Sequence, residues 1–167
     1  MRSVPYARYR SHSALILALS LIVGCDNGSG PGSVMPAPMT GANGESVAVT
    51  GLAKNATVPC QAASGDVWSF GVNFSAAHLD GTFTAQLLVE VDKDASGQDV
   101  WGSNRGPYVQ FDSASVGPGA PTGILQGRIG PPVSTRVRFN IAVRLVNSTG
   151  AVVAVGDSVS GLRPVLQ

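Results

Sequence analysis

From Glu45 onward, apolar and polar residues alternate with a period of two, the spacing of a strand that turns one face inward. Trp68, Phe70, Val72 and Phe74 fall on one face, opposed by Val67, Ser69, Gly71 and Asn73. Phe83, Ala85, Leu87, Val89 and Val91 share a second such face, opposed by Thr82, Thr84, Gln86, Leu88 and Glu90. Val137, Phe139, Ile141, Val143 and Leu145 form a third, opposed by Arg136, Arg138, Asn140 and Arg144. Shorter segments at 46–52, 56–62, 100–102, 108–112, 123–129 and 151–159 add weaker strand candidates. Turn-forming residues punctuate them: Ser64-Gly65, Asp80-Gly81, Ser96-Gly97, Gly117-Pro118-Gly119 and Asn147 to Gly150. About seven to nine short strands, each with one apolar face, predict an all-β fold, an antiparallel β-sandwich spanning 45–167. The alternative is a small closed barrel.

The first 44 residues follow other rules. Residues 1–13 hold Arg2, Arg8 and Arg10 and no acid, and 14–23 are apolar except for Ser20. A basic stretch before about ten apolar residues has the form of a secretory signal and is too short for a stable spanning helix. The run ends in Ile22-Val23-Gly24-Cys25, which resembles the lipobox of bacterial lipoproteins. The resemblance implies removal of residues 1–24 as a signal peptide, transfer of diacylglycerol to the Cys25 sulfur, and anchoring of the mature chain by acyl groups. It further implies a place in the bacterial cell envelope, facing the periplasm. In enteric-type bacteria Asp26 resembles the signal for retention in the inner membrane; the outer membrane stays open. The other reading of Cys25 is an exported chain in which it pairs with Cys60.

Residues 25–44 are Gly, Pro, Ser and Asn with few large apolar groups, a composition that favours a flexible tether. Its random-coil reach is about 25 Å, which would keep the domain close to the bilayer.

Charge refines the picture. Only 13% of residues are charged, about half the usual share. Without Arg2, Arg8 and Arg10, eight basic residues face ten acids, a formal balance of −2, and no basic stripe suits nucleic acid. Acids dominate from Asp66 to Asp112 and arginines from Arg128 to Arg163. That segregation suits cross-strand pairing between two halves of the sheet system, or an exposed basic face for an anionic partner.

The stretch from Arg136 to Ser160 resembles the closing strands of fibronectin type III and immunoglobulin-like modules. Trp68 would be the core Trp of such a module, and Phe139 stands where these modules usually carry Tyr. The resemblance concerns fold alone.

Six features bear on candidate chemistry. Asp92, Asp94, Ser96 and Asp99 alternate along a loop with Gly97, resembling the first half of Asp-x-Asp-x-Ser-Gly calcium loops, and would offer hard oxygens to Ca²⁺. A polar hairpin tip uses the same residues. Trp101, Arg105 and Tyr108, with Asn104 between them, are the residue types of a sugar- or protein-binding patch, and equally of core packing beside a turn. Arg136, Arg138 and Arg144 form the candidate basic face. Gly156-Asp157-Ser158 looks like the nucleophile block of Gly-Asp-Ser esterases, but no His or Asp follows it, and a Ser without a positioned base is a weak nucleophile. Cys60 and His78 suit a buried small residue and a turn histidine.

The expected function is non-enzymatic: a lipid-anchored adaptor or accessory subunit contacting an envelope protein complex. The alternative is a glycan- or peptidoglycan-binding module, assisted by calcium.

Overall fold

The structure, a computed structural model, describes residues 33–63, 67–100, 104–130 and 134–167. The signal segment, Cys25, Asp26, the Ser64-Gly65 turn and Trp101 lie outside the described residues. Nine strands follow one another: β1 (Ser46–Val49), β2 (Thr57–Ala63), β3 (Val67–Ala77), β4 (Phe83–Lys93), β5 (Tyr108–Val116), β6 (Thr122–Ile129), β7 (Arg138–Val146), β8 (Val152–Val155) and β9 (Val159–Leu166).

They form two layers. In the first, β3 is central, with β6 antiparallel on one edge and β1 and β2 sharing the other. In the second, β4 lies between β5 and β7, and the far edge of β7 is shared by β8 and β9. A parallel pairing of β2 with β9 joins the layers along one side. On the other side the chain crosses from β5 to β6 through Gly117 and Ala120, which exchange backbone hydrogen bonds. There the Asp112 carboxylate accepts the Gln126 backbone N–H at 2.7 Å. A β-bulge opposite Gln86–Leu88 sits just before this contact. The fold is an all-β sandwich of mostly antiparallel strands.

The inward residues of β3, β4 and β7 are those the alternation assigns. Phe70, Val72, Phe74, Ala85, Leu87, Val89, Phe139, Ile141, Val143 and Leu145 are all buried. Phe70 and Phe139 meet between the layers, ring centroids 5.1 Å apart and tilted by 48°. Trp68 is half-buried against this core. The inner face of β6 reads Gly123, Leu125, Gly127, Ile129, and its two glycines make room for rings from β3. A Cβ on Gly127 would stand 2.3 Å from Phe70 Cζ, and one on Gly123 would stand 2.9 Å from Phe74 Cε1.

Two expectations change. The candidate at 151–159 is not one strand: β8 ends at Val155 and β9 begins at Val159, running to Leu166 and pairing with both β7 and β2. The outer faces of β4 and β7 are also not simply solvated. Leu88, Glu90, Asn140 and Ala142 belong to the polar side of the alternation, yet all four are buried.

The reason lies in the expected tether. Its described part, from Ser33, is held in place. Ser33 and Val34 bond to Glu90 on β4, and Met39 pairs with Val155 on β8 through reciprocal backbone bonds of 2.9 and 2.8 Å. Val155 is in turn the register partner of Arg144 on β7. Residues 33–39 therefore form a strap that runs diagonally over the second layer, and Leu88 and Ala142, register partners of each other, lie between its two fixed points.

Candidate functional site

Glu90 is the centre of the polar structure under the strap. It sits on the outer side of β4, opposite Asn140 of β7, and is fully buried. Beyond β4 the chain makes the 94–99 loop and returns, so that the Arg105 carbonyl accepts the Val91 N–H at 2.9 Å. This return lays the Arg105 side chain along the same face, where it is 2% exposed. Arg105 Nε donates to Glu90 Oε1 at 2.5 Å, and Nη2 donates to Asp92 Oδ1 at 2.6 Å. Asn140 Nδ2 and the Ser33 hydroxyl donate to Glu90 Oε2, each at 2.9 Å, and the Val34 N–H donates to Oε1 at 2.8 Å. Asn140 Oδ1 then accepts the Gly161 N–H of β9 at 2.9 Å. One carboxylate thus ties together β4, β7, the 105 return and the strap, and through Asn140 reaches β9.

Burial pushes the Glu90 carboxyl up, but the bonds from Asn140, Val34, Arg105 and Ser33 together outweigh it and hold the group below the usual carboxylate value. Four donors leave no lone pair directed at a substrate. The arrangement is that of a structural ion, not of a general base. Among the described residues no buried side-chain nitrogen or oxygen lacks a partner.

Arg105 is therefore removed from the expected binding patch, because its guanidinium is spent on Glu90 and Asp92. Tyr108 opens β5 and is exposed. It stands with Asp94 and Asn104 around a cavity of about 340 Å³ whose apolar lining includes Val100, Ile129 and Val137.

The calcium-loop residues point to separate partners. Asp92 is bound by Arg105. Asp94 Oδ1 accepts the Ser96 N–H, the Ser96 hydroxyl and the Gln98 N–H at 2.8, 2.6 and 3.0 Å. The Ser96 hydroxyl, then the loop N–H groups, hold the Asp94 carboxyl below its usual value. Asp99 pairs with Lys93 at 2.6 Å and raises the Lys93 ammonium. Among the described residues, no group of three or more His, Cys, Asp or Glu side chains is placed to hold a metal ion. The loop has the bonding of a hairpin tip, with Gly97 at φ +85°.

The arginines divide. Arg144 Nε donates to Gln86 Oε1 at 2.9 Å across β7 and β4. Arg138 Nη1 donates to the Thr135 and Val137 carbonyls. Arg136 is exposed beside the 94–99 loop. The ion pairs of Glu90, Asp92, Lys93, Asp99 and Arg105 all lie within residues 90–105 and do not cross from the acidic half to the basic half. Cys60 is fully buried, and burial pushes its thiol up. His78 is exposed in the turn after β3, and Ser158 is exposed between β8 and β9.

The strap and its acceptor escaped the sequence reading, although two signals pointed to them. Glu90 stands among Leu87, Leu88, Val89 and Val91, an unusual place for a carboxylate. Val34, Met35 and Met39 are the large apolar residues of the otherwise Gly/Pro/Ser segment.

No family model matches the chain, and no curated protein does. Among solved structures, it is similar to the CARDB domain of the PF1109 protein from Pyrococcus furiosus, crystallised in complex with di-metal ions. That match has a TM-score of 0.35 at 10% identity, covering 81% of this chain and all of that one. It is also similar to the N-terminal domain of PorA, with a TM-score of 0.34 at 13% identity, covering 72% of this chain and 96% of that one. A third likeness, to the DNA glycosylase AlkC of Pseudomonas fluorescens, has a TM-score of 0.34 at 13% identity and spans 70% of this chain but 30% of that enzyme.

Proposed function

We propose that the chain is a lipid-anchored module of the bacterial envelope, facing the periplasm, that acts as a non-enzymatic adaptor or accessory subunit of an envelope protein complex. The observation that carries this reading is the coupling of the lipobox-like Ile22-Val23-Gly24-Cys25 to a sandwich through the strap bound at Glu90. The most buried charged groups, Glu90 and Arg105, are consumed in holding that strap and its supporting strands, which suits a scaffold better than a catalyst. Asp26 favours the inner membrane.

Two measurements test the proposal. Cys25→Ala is expected to abolish lipid labelling and signal-peptide processing; normal maturation of the variant would remove the anchor. Crosslinking in cells, followed by mass spectrometry, is expected to return a reproducible protein partner that depends on the sandwich. Recovery of muropeptides alone would reject the adaptor role.

The cavity beside Tyr108 favours a second reading, a glycan-binding module with Asn104 and Tyr108 supplying polar contacts over an apolar floor. On that reading Tyr108→Ala weakens retention on a peptidoglycan column by about tenfold while thermal unfolding is unchanged. Equal retention of both proteins would discard it.

A further inference from the structure

Across the second layer, one row of the outer face carries like charges on three adjacent strands. Lys93 of β4 is the register partner of Arg138 of β7. Phe139 pairs with Leu162 and both are buried, so the antiparallel step places Arg163 of β9 beside Arg138 on the outer face. Arg136 follows at the start of the same end. Like charges directly opposite one another in a sheet oppose folding; burial first, and the neighbouring Arg163 second, depress the Arg138 guanidinium. The acids that could offset this row are engaged elsewhere: Asp99 with Lys93, Asp92 and Glu90 with Arg105, and Asp94 within its own loop. Among the described residues, Arg136, Arg138 and Arg163 have no carboxylate partner.

The strap places this row relative to Cys25. Its first fixed point, Ser33 and Val34 on Glu90, lies at the Asn140 rung, two residues from Arg138. From there it runs away from the row towards Val155. Eight residues lead from Cys25 to Ser33, and eight residues span at most about 28 Å even when fully extended. An acyl chain on Cys25 therefore holds the basic end of the sandwich within that distance of the lipid.

We infer that Arg136, Arg138 and Arg163 form a docking surface for the anionic phospholipid headgroups of the membrane that anchors the chain, so that the sandwich stands with its Arg138 end against the bilayer and the β7–β8 turn pointing away. The inference rests on the proposed lipidation of Cys25. Each basic residue held near an anionic surface strengthens binding roughly fivefold, so three arginines favour this orientation by about a hundredfold.

Depth-dependent fluorescence quenching tests it with the native lipidated protein reconstituted in vesicles. Thr135→Cys and Ser148→Cys place a thiol-reactive dye at opposite ends of β7, and the buried Cys60 stays unlabelled. In phosphatidylglycerol-containing vesicles, a headgroup quencher is expected to quench the dye at 135 and spare the dye at 148. The contrast is expected to vanish in phosphatidylcholine alone, at raised salt, and in Arg138→Gln/Arg163→Gln, whose circular dichroism reports that it is folded. Equal quenching at both positions, or a contrast that survives in the double variant, overturns the inference. Mass spectrometry of the N-terminal peptide separates the two ideas. An acyl mass on Cys25 with symmetric quenching rejects the orientation alone, whereas a peptide without acyl mass rejects the anchor and the orientation with it.

Discussion

Arg105→Met is expected to lower the unfolding free energy by about 3–5 kcal/mol, read as a shift of the urea midpoint at unchanged slope. The substitution keeps most of the buried aliphatic bulk but leaves Glu90 in a fully buried position without its cation. Removing one partner of a buried pair costs far more than the pair contributes, because the remaining charge is stranded. The same reasoning predicts that Glu90→Leu added to Arg105→Met recovers a large part of the loss. If the double variant is as unstable as the single one, the network holds the strap by geometry and not by charge balance. The pH dependence has a definite sign. The Glu90 carboxyl is held below its unfolded value, so its contribution is complete above the unfolded carboxylate range, near 4.3, and is lost as pH falls through the lower folded value. Acid should therefore release the strap, and Arg105→Met should flatten that part of the stability profile.

Phe139→Ala is expected to cost about 3–5 kcal/mol by the same measurement. Phe139 is fully buried and packs on Phe70 at the point where the layers face each other. Relaxation into the vacated space is restricted on the far side, because Phe70 already fills the room left by the missing side chain of Gly127. A loss below about 1.5 kcal/mol, the range of a well-tolerated core exchange, would mean that the two layers close over the gap.

The strands of the core were legible because their signal is local. Phe83 to Val91 and Val137 to Leu145 each alternate over four or more periods, and burial of the apolar set fixes which face turns inward. β9 was not legible, since Gly161 and Pro164 interrupt its pattern and its pairing with β2 joins residues a hundred positions apart. The candidate patch failed at Arg105 for a related reason. A guanidinium beside Trp and Tyr suits a surface patch and core packing alike until the carboxylate that pulls it inward is known, and Glu90 lies fifteen residues away on a strand that looks half-solvated. Composition makes the strap look like a tether because it measures the average of a segment, whereas Ser33, Val34 and Met39 act individually through single bonds.

The strap also sets the order in which the molecule yields to force. Tension applied from the N-terminal side reaches Ser33 and Val34 first, then the Met39–Val155 pair, and only afterwards β1 at the edge of the first layer. These contacts are loaded one after another, as in peeling, rather than together, as in shear. The few bonds of the strap open before the β4–β7 ladder and the Phe70–Phe139 contact carry load. The strap is in this sense a mechanical fuse between the N-terminal segment that precedes it and the folded core.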